Sequence, residues 1–455
     1  MTGRRIPAAA FVLFCFSFGL QAQIPAGPAE ELTLGQAVDQ AMATHPLLRA
    51  AESRVNAAAD RVQSAKANRT PDLRITEAFS RGNNPVFAFG SLLEQSRFGP
   101  ENLALSSLND PASINNFRAT LSSRLSVFDG RQTSSRIGQA EAGETSAVEQ
   151  RMAMEQRLRF EVIRSYYGVI LARAVRDVAV QASRLAEADV ALVRSRLDAG
   201  LVIDSDVLAA QVQLADFLRQ QIQAEGDAIA AEAELNILIG RPDDSLLRLS
   251  SPDRGREFSI APQGDLIRMA LAQRPDFAAS QSLLKSSGLA VQERRGESLP
   301  QVGVFANVGI SGRNPVTGSS DYAVGASVTL NLFDAGRDAR LSEARHNEAA
   351  AIAERDDTER QIRIEVIRAR QRVLTAGEQV RASQTSVGQA REVLRVTEDR
   401  YMAGLTTITA LLRAQTDAVR AEMNLIASQN AYATGYAGLL LSTGALNDVT
   451  SFLGQ

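Results

Sequence analysis

Few residues of this 455-residue chain are equipped for bond-making chemistry. Nucleophilic attack, proton transfer or metal ligation would fall to two histidines and one cysteine, because imidazole and thiolate do this work near neutral pH. His45 precedes Pro46, but a second copy of that dipeptide reads Arg274-Pro275, so the position does not require an imidazole. His346 lies in a charged stretch of helical pattern with no second ligand at metal-binding spacing. Cys15 lies inside an apolar N-terminal run. No phosphate-cradling glycine loop and no nucleophile elbow occurs in the sequence. These residues offer no catalytic centre, cofactor site or metal site, so the elements themselves must carry the function.

The N-terminus indicates the compartment. Arg4 and Arg5 precede an apolar run from Ala8 to Leu20, with small residues following around Ala22, which is the layout of a secretory signal peptide over residues 1–22. The run is shorter than the roughly 20 apolar residues that span a bilayer. Phe14 before Cys15 is too bulky for lipoprotein processing, so the mature chain from about Gln23 is expected to hold no thiol and no disulfide. A net charge of −3 gives no nucleic-acid-type charge excess. Apart from Lys66 and Lys285 every basic residue is arginine, interspersed with acids as on solvated helix faces.

The chain repeats itself. Glu161-Val162-Ile163-Arg164 returns as Glu365-Val366-Ile367-Arg368, Ala199-Gly200-Leu201 as Ala403-Gly404-Leu405, and Gly240 as Gly444, all at one offset of 204 positions (161 to 365, 240 to 444). Upstream, Pro46 matches Pro275 and Pro71 matches Pro300 at an offset of 229, so the first copy carries about 25 extra residues between Pro71 and Phe128. The organisation read from this is a first repeat over 23–240, a linker rich in Pro, Asp, Gly and Ser over 241–262, and a second repeat over 263–455.

Each repeat reads as helix, two strands, very long helix, helix. Val302, Val304, Ala306, Val308 and Ile310 alternate with small or polar residues, as do Tyr322, Val324, Ala326, Val328, Leu330 and Leu332. In the first repeat Phe117, Ala119, Leu121, Leu125 and Val127 alternate likewise, while Leu73, Ile75 and Phe79 do so with an interruption at Glu77. Strands of about 10 residues suit a tilted membrane-crossing β-strand. From Arg131 to Ala199 no proline breaks the helical pattern, a length on the order of 100 Å, and its copy runs from Arg337 to Ala403. In that copy Val366, Val373, Val380, Val387 and Leu394 recur every seven residues, with small residues from Ala369 to Thr397 three positions behind. The first copy keeps the small row, but Arg176 and Ser183 interrupt its large row, so the two should pack differently. The stretch from Gly82 to Asn116 reads as a long loop with one short helical piece near Leu92 and Leu93. The fold class is therefore mainly α with a small β part. Four strands cannot close a barrel, so strands that enter a membrane require an oligomer.

In this doubled order, with Leu332-Phe333-Asp334-Ala335-Gly336-Arg337 and the shorter Val127-Phe128-Asp129-Gly130-Arg131 at the strand-to-helix passages, the chain resembles the TolC-like outer-membrane efflux channels over nearly all its mature length. The motifs at the helix reversals, Arg196-Leu197-Asp198-Ala199-Gly200-Leu201 and Arg400-Tyr401-Met402-Ala403-Gly404-Leu405, complete that resemblance. It implies a homotrimer with a twelve-stranded barrel in outer-membrane lipid and a coiled-coil tunnel of twelve helices in the periplasm. The tunnel would serve a tripartite efflux or type I secretion system, opening when a periplasmic adaptor and an inner-membrane pump of RND or ABC type dock.

The resemblance also implies site residues. Gly200, Leu201, Gly404 and Leu405 would form tips that contact the adaptor. Tyr401 and Asp206 would hydrogen-bond to hold the periplasmic end closed. The aspartate pair that rings the entrance in related channels is replaced here by Ala410 and Arg413, leaving Asp204 and Asp206 as alternative acids and Asp204 with Arg413 as a charged pair. A rival reading is a secreted or periplasmic coiled-coil structural or adaptor protein whose small sheet is soluble.

Overall fold

The computed structural model describes residues 31–250, 257–448 and Phe452. The signal peptide expected over 1–22 lies outside them, as does part of the expected linker. The first repeat runs α1 (Leu34–Thr44), α2 (Pro46–Ala67), β1 (Asp72–Gly82), α3 (Pro85–Glu94), a 3-10 turn (Pro100–Leu103), α4 (Leu105–Asn109), β2 (Ile114–Phe128), α5 (Gln132–Asp198) and α6 (Asp204–Leu238). The second runs α7 (Gln263–Gln273), α8 (Pro275–Gly296), β3 (Gln301–Gly312), β4 (Ser319–Thr329), α9 (Arg337–Met402) and α10 (Ile408–Ser442).

Punctuation in the sequence sets these bounds. Pro46 and Pro275 open α2 and α8, where a missing N–H costs no helical hydrogen bond. The four helix ends at Gly200, Gly240, Gly404 and Gly444 all have φ between 72° and 79°. In each, the glycine and its successor turn their N–H groups back onto the last carbonyls, as Leu201 does to Arg196 (2.9 Å) and Leu405 to Arg400 (2.8 Å). Asp129 closes the start of α5 by accepting from the Thr133 N–H at 2.6 Å, and Asp334 accepts from the Gly336 N–H at 2.9 Å before α9.

Helix lengths match by stacking. The end of α6 at Gly240 abuts Thr44, just before α2, and the end of α10 at Gly444 abuts Gln273 and Arg274, just before α8. Thus α2 and α6 together flank the 67-residue α5, while α8 and α10 flank the 66-residue α9. At that junction level α1, α7 and the chain after Gly240 cover one side of the helices. Leu34, Val38, Val162, Ile163, Tyr166 and Leu235 are buried there, and a parallel bridge joins Leu32 to Leu249. The Tyr166 hydroxyl serves the Leu32 and Ser250 carbonyls at 2.9 and 2.7 Å, and burial pushes it up to about 12. Residues expected to be a simple linker are thereby tied to the core: Leu247 is buried and its carbonyl accepts from Arg173 at 2.7 Å.

The strands form one antiparallel sheet in the order β1-β2-β3-β4. Its register aligns Ile75, Leu121, Val308 and Tyr322 in one row and Thr76, Thr120, Gly309 and Asp321 in the next. One face is therefore mainly apolar, interrupted by Glu77 and Ser123 and by Arg81, Asn115 and Ser320 towards one end, and it is bare: Ile75, Tyr322 and Val324 are 78%, 80% and 76% exposed. β1 is a full strand despite Glu77, because its ladder to β2 runs unbroken from Asp72 to Gly82. β4 ends at Thr329, short of the expected Leu332.

The insertion departs from expectation. In place of a long loop with one short helical piece, it folds as a ten-residue helix followed by two short turns. Asn84 caps α3 by accepting from the Val86 and Phe87 N–H groups, which the Asn84-Pro85 pair makes legible in retrospect. Glu94 at its end ion-pairs with Arg118 at 3.1 Å on the polar face, and Arg118 pairs also with Asp321. Polar anchorage of this kind is invisible to a count of apolar residues in a loop.

Candidate functional site at the helical hairpin tips

The ends of α5, α6, α9 and α10 farthest from the sheet converge on a small core of Val193, Val207, Ala210, Tyr401, Ile408 and Leu411. Two glycine-stopped hairpins meet here. Leu201 and Leu405 project from the turns, 73% and 70% exposed, and a side chain added at Gly200 or Gly404 would meet nothing within 4 Å. All four tip residues named from the sequence therefore lie on bare apolar points.

The hydrogen bond expected between Tyr401 and Asp206 is not made. The Tyr401 side chain is buried at 3% exposure, and its hydroxyl has no partner among the described residues. Asp206 instead turns back to its own helix start, accepting from the Ile203 N–H at 3.4 Å. The contact is local: Ile203 has no side-chain oxygen with which to cap α6, and the acid three residues on bonds the Ile203 N–H, the other half of a capping box. Burial pushes the Tyr401 phenol up, against the opposing pull of nearby Arg196.

Arg196 makes the tie between hairpins that the sequence reading missed. Its guanidinium lies 4.5 Å from the centre of the Tyr401 ring and donates to the carbonyls of Tyr401 (3.0 Å) and Met402 (3.2 Å). A cation over an aromatic face, bonded to the last carbonyls of a helix, is favoured by both the ring quadrupole and the helix dipole. Asp189 of α5 and Gln415 of α10 form a second tie, the amide donating to the carboxylate at 2.6 Å. Burial raises the Asp189 carboxyl while that bond opposes the rise. Gln213 donates to the Thr416 hydroxyl at 3.0 Å, joining α6 to α10. The signal for Arg196 was its place in the repeated tip motif; nothing in spacing marked Asp189.

Asp204 and Arg413 are not brought together. Both are exposed, and neither has an ion-pair partner among the described residues. His45 caps α2 by accepting from the Leu47 N–H at 3.3 Å, and His346 is exposed on α9. Among the described residues no helix is long and apolar enough to cross a membrane.

Comparison with known proteins places this architecture. The family model described as "Outer membrane efflux protein" matches residues 37–241 and 266–445, one segment in each repeat. The chain is 24% identical over 326 residues to the outer membrane efflux protein BepC of Brucella suis, covering 70% of each. It is 25% identical over 337 residues to the alkaline protease secretion protein AprF of Pseudomonas aeruginosa, covering 72% of this chain and 70% of the relative. The crystal structure of the Campylobacter jejuni CmeC outer membrane channel superposes with a TM-score of 0.77 at 18% identity, over 90% of this chain and 85% of that one. A match across both repeats, together with the bare apolar sheet face and the long helices, identifies an outer-membrane channel for export, and the chain belongs to the outer membrane efflux protein family.

Proposed function

We propose that three copies of the chain close into one tube, with the sheets forming a barrel in outer-membrane lipid and the helices a tunnel through the periplasm. The observation that carries this is the sheet itself. Its apolar face is exposed and its outer edges, on β1 and β4, are unpaired among the described residues, a combination untenable in lipid unless neighbouring copies complete the ladder. The hairpin tips at Gly200–Leu201 and Gly404–Leu405 dock a periplasmic adaptor, which couples the tube to an inner-membrane pump of RND or ABC type. BepC is named for efflux and AprF for protease secretion, so both kinds of export are represented among the relatives. Native mass spectrometry of the detergent-solubilised protein should give the trimer mass; a water-soluble monomer would overturn the tube.

The closed end is held by the ties between the hairpins, Arg196 to the Tyr401 and Met402 carbonyls and Gln415 to Asp189. Opening requires the α9–α10 hairpin to move against α5 and α6, which breaks these bonds. Arg196→Ala combined with Gln415→Ala should raise basal conductance in planar bilayers. A double variant no leakier than the parent would remove these residues from the gate. At the other end, α3 and the turns after it narrow the outer mouth through the Glu94–Arg118 anchorage.

A further inference from the structure

One side of the helical layer is covered and the other is bare. On α10, Ala433, Tyr436, Ala437 and Leu440 pack into the core shared with α1, whereas Ala431, Thr434, Gly435 and Gly438 floor an open groove. At about 100° per residue these two sets point in opposite directions. On α5, Val162, Tyr166 and Val169 face the core while Arg157 and Arg164 face the groove, with Phe160 at the border between them. A hollow tube keeps such covering on its outside, so the bare side lines the bore.

Arginines rim this groove. Arg157 and Arg164 reach it from α5, Arg368 and Arg372 from α9, around adjoining cavities of ≈ 340 and ≈ 600 Å³. The acids facing it, Asp276 and Glu365, are both bonded to Arg274, each at 2.5 Å. Arg164 pairs with Glu161. Arg157, Arg368 and Arg372 make no ion pair among the described residues, although Asp276 lies near enough to Arg157 to feel its charge. The small floor matters, because Thr434, Gly435 and Gly438 leave the space above α10 open between the two rims.

Resting on the trimeric-tube reading above, we propose that this groove is an anion site that makes the bore anion-selective and favours anionic solutes at the level of the α1 and α7 helices. Three copies set the same unpaired guanidinium groups around one axis, and low-dielectric walls focus their summed field on the passing solute. Arginine stays charged across the working pH range, so the preference does not titrate near neutrality. Salt screens it over a Debye length of about 8 Å at physiological ionic strength, so it weakens as salt rises. Arg413, exposed and unpaired near the tip, adds cationic charge at the entrance.

The test is the reversal potential of single channels in planar bilayers under a potassium chloride gradient. The native channel should pass chloride in preference to potassium, and Arg157→Gln/Arg368→Gln/Arg372→Gln should shift the reversal potential towards zero or past it. Arg268→Gln, on the covering helix α7, should leave it unchanged. Native mass spectrometry confirms that each variant remains assembled. A conducting native channel that prefers potassium or shows no preference would overturn the proposal while leaving the tube intact, as would an assembled triple variant with an unshifted reversal potential. A detergent-solubilised protein without a trimer mass would overturn the tube and this proposal with it.

Discussion

The helix start after α1 and its counterpart after α7 occupy the same place in the duplicated fold, yet His45 and Arg274 use it in opposite ways. His45 remains local, its imidazole accepting one N–H at the head of α2. Arg274 is largely buried and gathers Asp276, Glu365 and the Ser442 carbonyl, joining the starts of α8, the middle of α9 and the end of α10. The tips repeat the lesson. Thr407 caps α10 directly, accepting from the Ala410 N–H at 3.3 Å, while Ile203 cannot cap α6 and only its own N–H is bonded, to Asp206. Duplication preserved the backbone devices, the glycine stops and helix lengths, and left the polar residues free to make the two repeats mechanically unequal.

The most severe way to break this comparison is to empty the second repeat's anchor. Arg274→Ala leaves Asp276 without its buried partner and should cost about 3 kcal/mol or more, whereas His45→Ala should cost about 1 kcal/mol, the worth of a cap. Thermal unfolding in detergent measures both; equal losses would erase the distinction. The same anchor predicts a pH effect. Asp276 is half-buried, yet Arg274 holds its carboxyl below the usual carboxylate range, so its stabilisation is full above that range and is lost as pH falls through the depressed value. Arg274→Ala should remove that acid-side loss.

A smaller effect separates the glycine stops by location. All four have positive φ, so alanine should cost about 1–2 kcal/mol at any of them. At Gly444 a Cβ would also lie 2.8 Å from the Gln273 backbone, whereas at Gly404 it meets nothing. Gly444→Ala should therefore exceed Gly404→Ala by about 1–3 kcal/mol in the same unfolding measurement.

The tips supply the finest discrimination. Because burial raises the Asp189 carboxyl more than the Gln415 bond lowers it, the closed packing around Asp189 is favoured at low pH and loosened as pH rises through the raised value. Basal conductance should rise over that window, and Asp189→Asn should flatten the dependence. Smallest of all, Tyr401→Phe removes a buried hydroxyl that has no partner, so conductance and stability should stay at or slightly above native levels. A leaky Tyr401→Phe channel would restore the hydroxyl to the latch.

Much of the fold was legible because it is periodic. Heptads at Val366, Val373 and Val387 name the buried seam of α9, alternation names the strands, and the single offset of 204 names the repeat. Even the interruption at Ser183 was informative: that side chain is buried and bonds Gln221 at 2.5 Å, where α9 keeps an apolar residue. The candidate site was legible in its position but not in its bonds. Glycine at Gly200 and Gly404 fixes where the chain reverses, since only local backbone geometry is at stake.

By itself, then, the sequence determined the repeated motifs, the order of strands and long helices, the mainly apolar sheet face and the reversal points, all consequences of short-range sterics and one-dimensional pattern. Only the tertiary structure decided that Arg196 and not Asp206 approaches Tyr401, that Glu94 ties the insertion to the sheet, and that unpaired arginines from α5 and α9 share one groove. Those pairings join residues as far apart as 206 positions, as Arg196 and Met402 are, and a polar side chain's partner depends on which helices pack beside it rather than on its neighbours in sequence.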